Sequence, residues 1–145
     1  MKVYISRYHV ILDGDKDGVD EKRRIEKKDP SISGCITTFS ALGMQESEIE
    51  DFIDPDSYID KLATTFSLNN LRTLKKALND IDKKWSERLS VYGGRNGRRF
   101  ENEDIFKAKT IVADAVVEKG ISALRTCRSD IFDTLVANIE RMLDE

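Results

Sequence analysis

The strongest constraint on this fold is a strand–helix–strand order near the start of the chain. Residues 2–12 form a short run rich in β-branched and aromatic side chains, which predicts a buried strand. Residues 17–28 are highly charged and precede Pro30, as in a short exposed helix that ends before a proline. Residues 34–39 are again β-rich. Because strands joined through a helix run in the same direction, we expect the two strands to be parallel.

The apolar spacing becomes helical from Asp54 onward. Asp54 followed by Pro55 is typical of a helix start, with the aspartate as cap and the proline at the first helical position. Apolar residues between Leu71 and Leu89 recur at intervals of three and four, which predicts one continuous amphipathic helix. The glycines of residues 93–97 predict its end.

Two further helical segments complete the predicted order of elements. Residues 102–119 carry acids in their first turn and precede Gly120, and a last segment starts at Ile121, with an interruption near Ser129 or Asp130. The predicted fold class is therefore α/β: a partial βαβ sheet in residues 1–54, followed by a helical region in residues 55–145. Two parallel strands alone make a poor sheet, which predicts that the chain works with a partner or as part of something larger.

Composition excludes several classes of protein. A chain of 145 residues is long enough for one domain with a real core, and its two cysteines cannot form a disulfide-rich secreted scaffold. It has no apolar run long enough to span a membrane, and its first residues do not read as a signal peptide, so we expect a cytoplasmic protein. A formal charge of −3 argues against nucleic-acid binding by bulk charge alone, but not against a local basic patch.

The acidic turn after the first predicted strand has two interpretations. Asp13, Asp15 and Asp17 alternate and precede Gly18, as in a calcium-binding loop, but the twelfth position of that loop is Arg24 rather than glutamate. A strand also precedes the turn where such a loop needs a helix. In the second interpretation Asp13 and Asp15 lie at the carboxyl end of a parallel strand and form an oxygen-rich site for Mg²⁺ or Mn²⁺.

A second acidic stretch favours the Mg²⁺ or Mn²⁺ interpretation. Glu50 and Asp51 follow the second predicted strand, and the loops after two parallel strands lie at the same edge of the sheet. The two acids are therefore expected to face Asp13 and Asp15. Carboxylates that converge in this way repel one another unless cations lie between them.

The order of these elements, with the sequences LDGDKDG and IEDFIDPDSYIDKL, resembles the Toprim domain of overcoming-lysogenization-defect (OLD) nucleases. It also resembles related Toprim domains fused to ABC-type ATPases in anti-phage defence. The resemblance covers residues 3–65 and implies a divalent-metal-dependent nuclease acting on DNA. It implies that Asp13, Asp15 and Glu50 are catalytic metal ligands, with Asp51 as a further ligand. A partner chain or domain of the ABC-type ATPase class is implied as well.

The sequence departs from the family pattern in two respects. The family has a catalytic glutamate well before its DxD motif, and residues 1–12 contain no glutamate. The phosphate-binding motif GxxxxGK[ST] is also absent, so the ATPase is not in this sequence. We therefore expect the chain to act within a larger or split nuclease.

Basic side chains in the helical region are candidates for binding the nucleic acid. Arg95, Arg98 and Arg99 lie in the glycine-broken segment, Lys107 and, more weakly, Lys109 follow, and Lys83 and Lys84 are predicted to be a solvated face. A different class of function remains open, in which the helices form a non-catalytic interaction or regulatory domain. In either case the chain is expected to form homo- or hetero-oligomers.

Overall fold

The protein is mostly helical, with a small parallel sheet of two strands. In the computed structural model the described residues are 8–126 and 130–144, so the predicted beginning of the first strand and Ser129 lie outside them. The strands are β1 (Val10–Asp13) and β2 (Ile36–Phe39), and the α-helices are α1 (Lys16–Lys28), α2 (Ile59–Phe66), α3 (Leu71–Leu78), α4 (Trp85–Arg95), α5 (Asn102–Lys119) and α6 (Asp130–Asp144). Short 3₁₀ helices cover Pro30–Cys35, Ile49–Phe52, Pro55–Ser57 and Gly120–Ala123. Among the described helices, none has the length and apolar character needed to span a membrane.

The two strands are parallel, which confirms the predicted crossover. Val10 lies opposite Ile36, and Asp13 at the end of β1 lies opposite Phe39 at the end of β2. Gly14 follows immediately, and a Cβ atom at this position would lie 2.1 Å from the carbonyl oxygen of Phe39. Only a glycine therefore allows the chain leaving β1 to pass so close to the end of β2.

The charged segment between the strands forms α1, as predicted. Asp15 caps its first turn by accepting a hydrogen bond from the Gly18 amide at 2.9 Å. None of the residues of α1 is buried, so the helix is exposed, as its composition predicts. At its other end Asp29 caps the following 3₁₀ helix through the Ser31 amide.

The predicted continuous helix from Leu71 to Leu89 is wrong, because the segment folds as two helices. α3 ends at Leu78, and the Asp80 carboxylate accepts hydrogen bonds from the next two backbone amides, which forms a turn. Arg88 of α4 donates to the carbonyl groups of Leu78 and Asp80. Those carbonyls have left the helical hydrogen-bond pattern, and a buried guanidinium replaces the missing donors.

The predicted end of α4 within the glycine-containing segment of residues 93–97 is confirmed. The helix continues through Gly93 and Gly94 to Arg95. A Cβ atom at Gly93 would lie 2.4 Å from the ring of Phe100, so the glycine makes room for this aromatic side chain. The prediction for the next helix is confirmed, since α5 covers Asn102–Lys119 and Gly120 adopts a positive φ of 57° beyond it.

Two cores hold the elements together. The larger core lies among α2, α3, α4 and α5, and the indole nitrogen of Trp85 donates to the Tyr58 hydroxyl at 2.9 Å within it. The smaller core joins the sheet to α6: the rings of Phe39, Phe52 and Phe132 pack edge to face, and Leu135 is buried beside them. Phe52 belongs to the smaller core and the next residue, Ile53, to the larger one, so this segment lies between the sheet and the helices.

Candidate functional site

The two acidic segments meet at the carboxyl end of the strands. Asp13 is the last residue of β1, and its Oδ1 atom accepts a hydrogen bond from the Ile49 amide at 2.9 Å. Glu50 is the next residue along that segment. The contact therefore places the acidic segment of residues 48–51 against the end of β1.

Glu48 joins this site, although the sequence interpretation did not select it. Its side chain is buried, with 7% exposed, and its two oxygens accept hydrogen bonds from the amide and the hydroxyl of Ser86 at 2.8 and 2.9 Å. Glu48 therefore fixes the first turn of α4 against the acidic segment. The one signal in the sequence is its position at the cap of the following 3₁₀ helix, where an acid is common.

Two lysines from distant helical segments neutralise part of the negative charge of these acidic side chains. The Nζ atom of Lys84 lies 2.7 Å from Asp15 and 3.9 Å from Glu48. The Nζ atom of Lys109 lies 3.0 Å from Glu50 and 3.4 Å from Glu48. We call these six residues, Asp13, Asp15, Glu48, Glu50, Lys84 and Lys109, the acidic cluster.

The prediction of a solvated Lys84 is corrected, since only 21% of its side chain is exposed. Lys84 immediately precedes α4, and Lys109 lies near the middle of α5. Their ammonium groups reach the acidic cluster because the start of α4 and the middle of α5 lie beside the segment of residues 48–51. This placement depends on tertiary packing, so the local sequence pattern does not report it.

Asp13 and Glu50 are the two acids that their surroundings disfavour as anions. Burial raises the pKa of Asp13 above its ordinary value, although the Ile49 amide and the charge of Lys109 partly oppose this. Burial likewise raises the pKa of Glu50, although Lys109 again opposes it. For both carboxyl groups burial therefore outweighs the stabilising effect of the neighbouring lysine on the charged form.

Asp15 and the two lysines show the opposite balance. Burial opposes the ionisation of Asp15, but the hydrogen bond and charge of Lys84 outweigh burial and lower the pKa of Asp15. Burial also disfavours both charged lysines, but the surrounding carboxylates outweigh it and raise the pKa of Lys84 and of Lys109. The two lysines therefore remain ammonium groups at neutral pH.

Asp51 has a different place from the other predicted acids. Its side chain is fully buried and forms a salt bridge with Arg88, of which 3% is exposed. Its Oδ2 atom also accepts hydrogen bonds from the amides of Glu48 and Trp85, at 2.8 and 3.3 Å. Asp51 therefore links the acidic segment to the start of α4 and is turned away from solvent.

A divalent cation at this edge of the sheet could take only part of its ligands from the protein. No group of three or more His, Cys, Asp or Glu side chains within the described residues is arranged to hold a metal ion. Mg²⁺, however, usually binds through one or two carboxylates together with water and substrate phosphate. Asp13 and Glu50 supply two such carboxylates, whereas Asp17 lies exposed in the first turn of α1.

The predicted nucleic-acid-binding residues lie in several environments. The guanidinium of Arg98 lies 5.0 Å from the ring centre of Phe66 and 5.3 Å from that of Phe100, and it donates to the Phe66 carbonyl at 3.1 Å. Lys107 lies over the same Phe66 ring at 5.9 Å. Arg99 is exposed and pairs with Glu101 at 3.0 Å. Arg98 therefore packs against the core, and Arg99 faces solvent.

The helices separate these basic residues from the acidic cluster. Lys107 and Lys109 are two positions apart on α5, so at about 100° per residue they lie on nearly opposite faces. Arg95 is nine positions after Ser86 on α4, which corresponds to roughly 14 Å along the helix axis. Arg95 instead lines a cavity of about 1040 Å³ between α3 and α4, together with Lys76 and Lys83.

Comparisons of the chain with protein-family models, with curated proteins and with solved structures found no match.

Proposed function

We propose that the acidic cluster is the metal-binding part of a Toprim-like nuclease site that hydrolyses phosphodiester bonds in nucleic acid, with DNA as the expected substrate. The observation that carries the proposal is the charge balance of the cluster at the carboxyl edge of the parallel strands. Four carboxylates face two ammonium groups, which leaves an excess of two negative charges. One divalent cation has the opposite charge.

The position of the cluster supports the same conclusion. Ligands in open α/β sheets bind beyond the carboxyl ends of the strands, and Asp13 is the last residue of β1. The parallel crossover, the DxD motif at its end and the acids of residues 48–51 follow the order that resembles Toprim. Asp13 and Glu50 are the proposed ligands of Mg²⁺ or Mn²⁺, and Asp15 holds the turn between them and α1.

The residues of the chain have separable roles in this proposal. A bound divalent metal would supply a water of lowered pKa and would neutralise charge on the phosphate. Asp13 and Glu50 would hold that metal, and Glu48 would keep α4 in place beside it. Lys84 and Lys109 carry positive charge next to these carboxylates and are placed to attract the phosphate oxygens of the substrate.

The remaining parts of a complete nuclease would come from elsewhere. The family resemblance calls for a catalytic glutamate before the DxD motif, and the residues around Asp13 do not include it. We propose that an ABC-type ATPase chain or domain acts together with this one. Nucleic-acid contacts by Arg95 and Lys107 would then involve surfaces distinct from the acidic cluster, because of their placement on α4 and α5, and the exposed Arg99 lies between these two helices.

Binding of Mn²⁺, measured by isothermal titration calorimetry, tests the site without requiring activity. We expect Asp13→Asn and Glu50→Gln each to weaken Mn²⁺ binding by at least about tenfold, the usual size of a ligand or outer-ligand loss. Asp17→Asn is the matched control, because Asp17 is a nearby exposed aspartate outside the cluster. Equal Mn²⁺ affinity in the wild type and both cluster variants would refute the site.

A plasmid-nicking assay then separates a catalyst from a metal-binding fragment. The chain is assayed alone and together with a candidate ATPase partner, in Mg²⁺ or Mn²⁺. We expect cleavage that Asp13→Asn abolishes and Asp17→Asn preserves. Mn²⁺ binding combined with no cleavage in any mixture would contradict the nuclease function while leaving the metal site intact.

A non-catalytic interaction domain is the second candidate function, and the lysine contacts favour it. Asp15, Glu48 and Glu50 each have a lysine partner within 4 Å, so the cluster already has internal counter-charges. In this case the ion pairs would serve to fasten α4 and α5 to the sheet. Removal of Lys84 or Lys109 would then lower stability without any effect on metal affinity.

A further inference from the structure

The outer face of α5 carries an exposed apolar stripe that the proposed function does not use. Phe106 is 75% exposed and Val117 is 86% exposed, and between them lie the exposed residues Thr110 and Ala113. The opposite face of the helix is the buried one, with Ala108, Ile111, Val112 and Ala115 in the larger core.

The spacing of the stripe is that of a helix-pairing surface. Phe106, Thr110, Ala113 and Val117 are separated by four, three and four positions. This alternation keeps side chains on one narrow strip of an α-helix, as in the seam of a two-helix coiled coil. The two small residues in the middle allow a second helix to approach closely.

We propose that the stripe on α5 binds the same stripe of a second copy of this chain, with the two helices antiparallel. In this arrangement Phe106 of one copy lies opposite Val117 of the other, and Thr110 lies opposite Ala113. The large side chains at the ends of the stripe thus meet each other across the small ones, and each copy contributes the same surface.

The charged residues beside the stripe favour a second copy of the chain whose α5 runs antiparallel. Lys107, Asp114 and Glu118 lie along one flank of the stripe, at positions that face the same flank of an antiparallel copy. With the register above, Lys107 of one copy lies between the levels of Asp114 and Glu118 of the other. In a parallel copy Lys107 would instead face the other flank of the stripe, at positions 102, 105, 109 and 116, which carries no carboxylate. The surface is therefore complementary to itself only when the helices are antiparallel.

Lys107 and Asp114 have contacts within their own chain but are exposed, and the Lys107 ammonium lies 5.9 Å from the centre of the Phe66 ring. Asp114 pairs with Lys61 of its own chain at 3.0 Å, and both side chains are more than half exposed. The contact from Phe106 to Val117 spans roughly 17 Å of helix. A single pair of helices of this length buries less area than a standard interface, which covers about 800 Å² per partner. We expect a weak dimer, with a dissociation constant on the order of 10–100 µM.

Sedimentation equilibrium of the full chain, from about 1 µM to about 1 mM, tests the interface over the expected range. We expect a monomer–dimer equilibrium that Phe106→Glu and Val117→Glu each abolish. Leu42→Glu is the matched control, because Leu42 is 88% exposed and lies far from α5 in sequence. A monomer throughout this range, or a dimer that survives both α5 variants, would overturn the proposal.

A charge exchange tests the antiparallel direction separately. Lys107→Asp and Asp114→Lys should each weaken the dimer about 5- to 10-fold, because each removes two symmetric attractions and adds repulsion. The double variant, with both substitutions, should return to within about threefold of the wild type. A double variant as weak as the single variants would overturn the antiparallel register. Far-UV circular dichroism of each variant verifies that the fold is retained.

Discussion

Glu50 and Asp51 are neighbours in the sequence, but they belong to two different charged systems. Asp51 forms a closed pair with Arg88, in which a buried carboxylate has a guanidinium and two backbone amides around it. Glu50 belongs to the acidic cluster, where burial raises the pKa of two carboxylates and negative charge is in excess. The first system has the features of a structural link, and in the second the carboxylates outnumber the ammonium groups beside them.

The closed pair should give the largest loss of stability. Asp51→Ala and Arg88→Ala each leave one buried charge without its main partner, which typically costs about 3–5 kcal/mol. Arg99→Ala is the matched control on an exposed ion pair and should change the free energy of unfolding by less than about 0.5 kcal/mol. Urea denaturation measures all three. A loss below about 1 kcal/mol for Asp51→Ala would contradict its structural role.

The next effect comes from the turn that holds the acidic cluster. Gly14→Ala would place a Cβ atom 2.1 Å from the Phe39 carbonyl oxygen, so the strand ends must move apart. Such overpacking costs about 1–3 kcal/mol, and here it should also weaken Mn²⁺ binding. At Gly34 a Cβ atom would meet no heavy atom within 4 Å, so Gly34→Ala provides the control. Equal stability of the two variants would show that the strand ends are not tightly apposed.

Within the cluster, neutralising two aspartates should have opposite effects. Asp15→Asn keeps the cap of α1 but loses the pairing with Lys84, and should cost about 1–2 kcal/mol. Asp13→Asn keeps an oxygen for the Ile49 amide and removes a poorly compensated charge, so it should stabilise the fold by about 0.5–1 kcal/mol. A loss of stability in both variants would mean that the cluster is as fully compensated as the pair of Asp51 and Arg88.

The smallest effect is a change in how stability depends on pH. Asp13 and Glu50 have raised pKa values when folded, so the folded state holds protons that the unfolded state releases. Their ionisation therefore lowers stability as pH rises from the ordinary values of 3.8 and 4.5 through the folded values. Relative to wild type, the double variant Asp13→Asn with Glu50→Gln should gain stability over that window and then level off. Thermal unfolding at a series of pH values measures this difference, and a constant difference would contradict the assigned pKa directions.

Local signals in the sequence predicted the elements that local rules control. The crossover from β1 through α1 to β2, and the limits of α5 at Asn102 and Gly120, follow from β-rich runs, caps and a terminal glycine. The apolar residues from Leu71 to Leu89 predicted one helix, which was wrong because the turn at Asp80 and the buried Arg88 together divide the segment into α3 and α4. Gly93 lies in the segment where the end of α4 was predicted, but its contact with Phe100 depends on the tertiary fold and has no local signal.

The residues of the site likewise include some that the local sequence predicted and others that it did not. Asp13, Asp15 and Glu50 could be selected because they follow the two strands of a parallel crossover. Lys84, Lys109 and Glu48 reach them from helices and a loop whose packing no local pattern specifies. Asp51 is the clearest case, since only its contact with Arg88 distinguishes it from the acid beside it.

The smaller core, with its three phenylalanine rings, affects the order in which parts of the protein fold during synthesis. Phe39 and Phe52 leave the ribosome before their partner Phe132, which follows Phe52 by 80 positions. The helical core of α2 to α5 can form before α6 is synthesised, whereas the face of the sheet region cannot be covered until α6 emerges. The sheet region precedes the helical core in the sequence but is therefore expected to complete its folding after that core.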